Sequence, residues 1–470
     1  MLKFGTGGWR AVIGDEFTKQ NLQILAKAMS DKMHAEGVAD EGIVIGHDRR
    51  FLANESVRWL AEVFASEGIR TLIVTKACPT PVVMYYVQVH DMHYGLMVTA
   101  SHNPAEYNGV KVFTYGGRDA DLEQTADIER YISKVKLPVC SKEYDTGIAD
   151  GLIREISPVN DYIDSIISDI DLRKIRDAHL NIVLDPMYGV SETCIKTILI
   201  TARCGVETIH GYHDPLFGGH MPAPDSDSMQ DLRAYVISHH CDLGIATDGD
   251  ADRIGIIDDT GRFLSPNDVI MLLDYYLVKH RGMKGPVVRN LCTSHMIDRM
   301  AKYLGQEVYE VPVGFKWISA KMDETNAVIG GESSGGLSVS GRIKGKDGVY
   351  AAALLVEMLA FEGKKMSVIY DELCSIIGRS YMAQHNYRFR AEHKDLFLKR
   401  IMEDRQIPVF PYEIDHVSYM DGCKVYFKNG GWVSIRFSGT EPLLRVFAEM
   451  DTQEQAEEIC EICRQFLGIA

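Results

Sequence analysis

No apolar run in this sequence approaches the roughly 20 residues a helix needs to cross a bilayer. The opening Met1-Leu2-Lys3-Phe4-Gly5-Thr6-Gly7-Gly8 breaks into glycines where a secretory signal turns apolar, so no leader is expected. Walker-type and dinucleotide-binding glycine motifs are missing, and nothing points to a nucleotide cofactor. Positive charge is in deficit: 50 Lys and Arg face 66 Asp and Glu, a net charge of −16. That balance argues against nucleic-acid or anionic-membrane partners, so an anionic substrate would need a locally basic site. Cysteine is sparse, with ten residues scattered along the chain, as suits free thiols in a reducing cytoplasm. Cys460-x-x-Cys463 has no second pair to complete a metal site and reads as packing in a helix from Glu454 to Leu467.

What is present is a repeated order of elements. The 470 residues suit three or four domains. Three times an apolar β-rich run (Ile43–Gly46, Asn181–Leu184, Pro286–Arg289) precedes a helical stretch and a glycine-headed second strand, at Gly68, Gly205 and Gly305. A third strand then enters a polar loop: Thr99–Pro104, Thr247–Arg253 or Gly330–Gly336. Alternation of this kind predicts α/β layers, whose ligands gather beyond strand ends. The end of the chain differs. Lys424–Phe427 and Trp432–Phe437 flank Asn429-Gly430-Gly431, a hairpin signal, and Leu443–Glu449 adds a third strand to a small α+β domain. The expected division is 1–150, 151–255, 256–375 and 376–470.

Asp248, Asp250 and Asp252 alternate with small residues, and in an extended segment such side chains point to one side. Three gathered carboxylates repel unless a cation lies between them. Few, hard oxygen ligands suit Mg2+, which keeps positions for a phosphate oxygen. An acidic surface turn is the bland alternative, and an EF-hand is disfavoured by Arg253 at the position where that loop needs glycine. Ser101 lacks the glycines of a hydrolase elbow, and Ser101-His102-Asn103-Pro104 alone reads as a turn with a capping serine. A metal loop at the equivalent place in the second repeat shifts the balance. A serine oxygen beside a divalent cation can receive and return a phosphoryl group, which counts Ser101 with the three aspartates around the metal.

The third loop sets Glu332 and Ser334 among glycines, a carboxylate and a hydroxyl suited to two sugar hydroxyls. Arg436 and Arg445 bracket Ser438-Gly439-Thr440, which is either a phosphate cradle or a turn with solvated arginines. Arg10 and Arg50 either stiffen loops or steady a phosphoserine, and for Arg50 an ion pair with Asp48 competes.

Together the four loops resemble those of the α-D-phosphohexomutase family, from Phe4 to the C-terminal domain: Thr99–Pro104 its phosphoserine loop, Asp248–Arg253 its magnesium loop, Gly331–Gly335 its sugar loop, Arg436–Pro442 its phosphate loop. The resemblance implies four domains around a deep cleft, the first three alike. It implies a phosphoserine that passes its phosphate to a hexose monophosphate, a sugar 1,6-bisphosphate as intermediate and activator, and a monomer or homodimer. By the same resemblance His102, Lys111 and Arg253 surround the reacting groups. Glu310–Trp317 is similar to a phosphoglucomutase segment, which carries substrate binding onto Gly314, Phe315 and Lys316. Glu106–Lys111 is similar to glucose and mannose enzymes, whereas phosphoglucosamine mutases usually carry an aspartate before the asparagine. Departures are Gly7 for serine, Ser333 for glutamate and Gly336 for histidine. The expected function is interconversion of glucose 1-phosphate and glucose 6-phosphate, with a phosphomannomutase as alternative. A non-catalytic sugar-phosphate sensor is disfavoured by the intact Ser101, aspartates and arginines.

Overall fold

A computed structural model of the chain describes residues 2–5, 8–437 and 443–469. In the first sheet the parallel strands Ile43–His47, Thr71–Val74 and Tyr94–Val98 lie in the order second, first, third, and Tyr107–Thr114 runs antiparallel beside the third. The second sheet repeats this order with Asn181–Asp185, Gly205–Thr208, Leu243–Thr247 and antiparallel Ile254–Asp258. So does the third, with Val287–Asn290, Val308–Val311, Ile329–Gly331 and antiparallel Leu337–Val339. The repeat is therefore one of topology. Ile43–His47, Leu243–Thr247 and Ile329–Gly331 are buried along their whole length, as strands are when helices cover both faces of a parallel sheet. In each repeat the polar loop leaves the C-terminal end of the third strand and turns into the antiparallel one.

Strand pairing moves the domain divisions from their expected places. Ile153–Ile156 pairs with Thr71–Val74, so the first sheet extends past residue 150. A cut at 255 would split Ile254–Asp258, and Phe263–Leu264 joins the same sheet. Residue 375 falls inside helix Met366–Ile377, which leaves the last division between that helix and the strand Tyr381–Arg388. Backbone hydrogen bonds across a sheet join distant segments, so composition along the chain marks these edges poorly.

Helix Gly348–Glu362 is apolar on every face and buried from Gly348 to Ala360. An all-round apolar helix belongs in a core. Leu354 here shares one hydrophobic cluster with Val83, Ile195 and Leu272, which ties the first three domains together. The helix starts at Asp347, whose carboxylate accepts from the Tyr350 N–H and the Tyr162 hydroxyl, at 2.9 and 2.6 Å. The C-terminal sheet is antiparallel with five strands in the order Tyr381–Arg388, Leu443–Met450, Trp432–Phe437, Cys423–Phe427 and Ile414–Ser418. Two of these escaped the sequence reading because they are edge strands with few buried side chains. The hairpin at Asn429-Gly430-Gly431 forms as read, with Gly430 at φ 92°. Cys460 and Cys463 are buried on helix Gln453–Leu467. No helix among the described residues is long and apolar enough to cross a membrane.

Candidate active site

Ser101 begins the turn after Tyr94–Val98, fully buried and at φ 53°, a left-handed conformation that costs a serine energy unless its surroundings hold it. Its N–H donates to Thr99 Oγ1 at 2.8 Å, and Thr99 Oγ1 donates to Asp48 at 2.6 Å. Arg50 donates to the carbonyls of Ser101, Asn103, Pro104 and Tyr107 at 2.6–3.0 Å and stands 3.4 Å from Asp48. Arg50 thus both stiffens the loop and pairs with Asp48, the two structural readings it had from the sequence. Arg10 reaches the same loop through Asn103 at 2.6 Å, and its buried Nε has no hydrogen-bond partner among the described residues.

The second loop meets the first across the domain interface. Ser101 Oγ donates to Asp248 Oδ2 at 2.7 Å, and His102 Nδ1 lies 3.5 Å from the same oxygen of Ser101. Gly249 permits this approach, since a Cβ there would sit 2.8 Å from the Ser101 carbonyl. Asp248, Asp250 and Asp252 are fully buried, with ligand oxygens within 4.8 Å of one another. They do not gather by strand alternation as expected. The segment turns, with Ala251 at φ 60°, and the Asp252 and Arg253 N–H groups both donate to Asp248 Oδ1 at 3.1 Å.

One side of this carboxylate cluster is neutralised by the protein. Lys111 Nζ stands 2.6 Å from Asp250 Oδ2 and 2.5 Å from Asp252 Oδ2, Lys346 Nζ 2.8 Å from Asp252, and Thr80 Oγ1 donates to Asp250 at 2.5 Å. Arg253 Nε lies 3.8–3.9 Å from Asp252 and Asp248. On the other side Asp250 Oδ1 and Asp252 Oδ1 are buried and have no hydrogen-bond partner among the described residues, Asp252 Oδ1 lying 3.8 Å from Arg253 Nε. An orphaned buried carboxylate oxygen is expensive, and two beside each other fit a hard divalent cation. Electrostatics agree. Burial, then Asp250 and Asp252, push the Asp248 carboxyl up to about 8. Burial alone would lower the Lys111 ammonium, but the facing Asp250 and Asp252 raise it above its ordinary value. Arg253, then burial, Arg10 and Lys346, hold His102 far below its ordinary value, so its imidazole is neutral.

The third loop is bonded to the second by Ile254 N–H to the Gly335 carbonyl at 3.2 Å. Glu332 is buried and accepts from the Gly314 N–H at 3.2 Å, while Ser334 Oγ donates to it at 3.3 Å. Arg10, Arg253, Phe315, Lys316, Glu332 and Lys346 line one cavity, so residues from three domains converge there. Lys346 and Thr80 were missed by sequence reasoning. Lys346 could have been sought in the basic, glycine-rich run Gly341–Gly348. Its chain fills the space beside Gly336, where an added Cβ would meet Lys346 Cδ at 2.2 Å. Thr80, at a helix start in another domain, leaves no sequence signal.

Arg436 and Arg445 do not line that cavity. They stand directly opposite on adjacent antiparallel strands, Arg445 exposed. Like charges so placed repel, which favours an anion between or beside them. Ser438, Gly439 and Thr440 lie outside the described residues.

Four family profiles match the chain in order: Phosphoglucomutase/phosphomannomutase, alpha/beta/alpha domain I over residues 1–138, domain II over 160–261, domain III over 265–376, and the C-terminal domain over 398–465. A Thermococcus kodakarensis protein named phosphoglucomutase/phosphomannomutase is 29% identical over 463 residues, covering 98% of this chain and 97% of the relative. A Sulfurisphaera tokodaii phosphoglucosamine/phosphogalactosamine mutase is 27% identical, covering 97% of each. In fold, a phosphoglucomutase/phosphomannomutase family protein of Burkholderia thailandensis matches with a TM-score of 0.85 at 23% identity, over 100% of this chain and 99% of that one. With a serine set against a buried carboxylate triad and the domain profiles in order from end to end, this chain belongs to the phosphoglucomutase/phosphomannomutase family of intramolecular phosphotransferases.

Proposed function

We propose that the protein interconverts glucose 1-phosphate and glucose 6-phosphate through a phosphorylated Ser101 and glucose 1,6-bisphosphate. The observation that carries this is Ser101 Oγ at 2.7 Å from Asp248, beside two orphaned carboxylate oxygens. The P–Oγ bond of phosphoserine breaks as the sugar's free hydroxyl oxygen bonds to phosphorus, and the hydroxyl proton passes by way of a side chain of the site to the Ser101 oxygen that leaves. The bisphosphate reorients, and Oγ takes the other phosphoryl group back. A magnesium ion held by Asp248, Asp250 and Asp252, beside the Ser101 oxygen, would neutralise charge on the transferring group.

Arg10 and Arg253 offer fixed positive charge around the transferring group, and His102, Lys111 and Lys346 are the proton-carrying side chains nearest to it. Glu332 and Ser334 hold sugar hydroxyls, and Gly314, Phe315 and Lys316 complete the substrate-binding wall. Arg436, Arg445 and the Ser438–Thr440 loop hold the phosphate that is not reacting. The ten free thiols suit a cytoplasmic enzyme.

A phosphomannomutase is the second reading, kept open by the sugar-loop departures at Ser333 and Gly336. The test is glucose 6-phosphate production with catalytic glucose 1,6-bisphosphate, together with mass spectrometry of the purified protein. Ser101→Ala should abolish turnover with the fold intact, and a phosphate should be found on wild-type Ser101. Near-normal turnover by the alanine variant would overturn the phosphoserine reading. Comparing kcat/KM on glucose, mannose and glucosamine 1-phosphates decides the sugar.

A further inference from the structure

The third and fourth domains meet through buried charge. Glu310 Oε2 is 2.5 Å from Arg289 and 2.7 Å from Lys424 of the C-terminal sheet, and Tyr426 donates its hydroxyl to Glu310 Oε1. Three residues past Glu310, the Val313 N–H donates to Asp421 Oδ2 at 2.9 Å, from the turn ahead of strand Cys423–Phe427. The same oxygen accepts from Arg436 Nη2 at 2.8 Å. One carboxylate oxygen thus joins the backbone just ahead of Gly314-Phe315-Lys316 to the arginine assigned to phosphate.

We propose that Asp421 is a positioning residue that seats Arg436 against the sugar-binding segment of the third domain, so that phosphate and sugar are held in fixed register. The inference rests on the phosphate role proposed above for Arg436. Three features of the geometry support it. Arg436 lies opposite Arg445, and Asp421 supplies a negative charge that offsets the repulsion on the Arg436 side and fixes its guanidinium. Asp421 contacts Arg436 through Nη2, which orients the guanidinium from one side, and among the described residues the buried Arg436 Nε has no hydrogen-bond partner. Both acceptor contacts fall on Oδ2, so the Val313 amide and Arg436 move together or not at all. A charge-assisted contact to a partly exposed pair matters little to stability but sets orientation, and misplacement of a binding group weakens substrate before it slows chemistry.

The test is a double-mutant cycle in the full-length chain carrying Ser101→Ala, with glucose 1-phosphate binding measured by calorimetry in the presence of Mg2+. Arg436→Ala should weaken binding by about 10- to 100-fold, as loss of a charge-assisted phosphate contact does. Asp421→Asn should weaken it by about 5-fold on its own, and should cost nothing further once Arg436 is alanine, because it acts through that side chain. In the Ser101 enzyme, Asp421→Asn should raise KM with kcat little changed. If the two losses multiply in the double variant, Asp421 acts independently and the proposal falls. If Arg436→Ala binds as well as wild type, the phosphate role of Arg436 fails instead, which is a separate outcome. Asp421→Glu keeps the charge on a longer arm and guards against a folding defect: it should bind better than Asp421→Asn at equal melting temperature. Binding no better than that of Asp421→Asn would also overturn the proposal.

Discussion

Replacing Lys111 with methionine keeps the length and the apolar stem but removes an ammonium locked between Asp250 and Asp252. Lys111 is 2% exposed and both carboxylates are fully buried, so solvent cannot take its place. Breaking one partner out of a buried ion pair costs about 3–5 kcal/mol. That is a large fraction of the roughly 5–15 kcal/mol that holds a domain folded. Because Lys111 belongs to the first sheet and the aspartates to the second, the loss should appear as an earlier first transition in thermal unfolding with EDTA. A divalent cation should restore much of it, since its binding contributes about 2.7 kcal/mol at 100-fold excess over Kd. The variant should therefore gain more from MgCl2 than wild type does. The ammonium titrates above its ordinary 10.5 in the folded state, so its contribution is complete below that pH and lost only as pH rises through the folded value. The ammonium's own titration therefore adds no slope to the gap at neutral pH. Equal first transitions in EDTA would refute the charge balance drawn for the triad. Equal gains from MgCl2 would place the cation elsewhere.

Glu332→Ala should change the ratio of kcat/KM for glucose 1-phosphate over mannose 1-phosphate by about 5-fold or more, because a lost hydroxyl contact penalises the epimer that made it. Arg445→Ala should lower both by a similar factor of about 10, and the reverse pattern would exchange the two loop assignments. Asp274, buried on helix Pro266–Lys279 with Gln306 at 3.1 Å on one oxygen and nothing on the other, has its carboxyl pushed up to about 7 by burial. The folded state then holds a proton that the unfolded state releases near its ordinary 3.8, so stability falls as pH rises from about 4 to 7, by about 4 kcal/mol. Asp274→Asn should flatten that slope in denaturant titrations and be more stable than wild type at neutral pH; an unchanged slope would place the titrating group elsewhere.

Local pattern determined much of this protein. Alternating apolar runs and glycines marked three like α/β units, and the hairpin at Asn429-Gly430-Gly431 announced a different fourth one. The chemistry of the loops was legible because serine, clustered aspartates and glycine-rich turns carry their character within a few positions. Asp248, Asp250 and Asp252 sit within five positions and so were found together, although the reason offered, strand alternation, gives way to the turn at Ala251 that actually gathers them. Only the tertiary structure decided which residues face them. Ser101 and Asp248 are 147 positions apart and Lys111 and Asp252 are 141 apart, and no periodicity of 2 or 3.6 reaches that far. Arg50 had competing readings until four loop carbonyls and Asp48 closed on its guanidinium. Thr80 and Asp421 carry no motif, and Lys346 only a weak one in its basic, glycine-rich run. Each matters through a partner on another domain, and such partners are chosen by how the sheets pack rather than by neighbours along the chain.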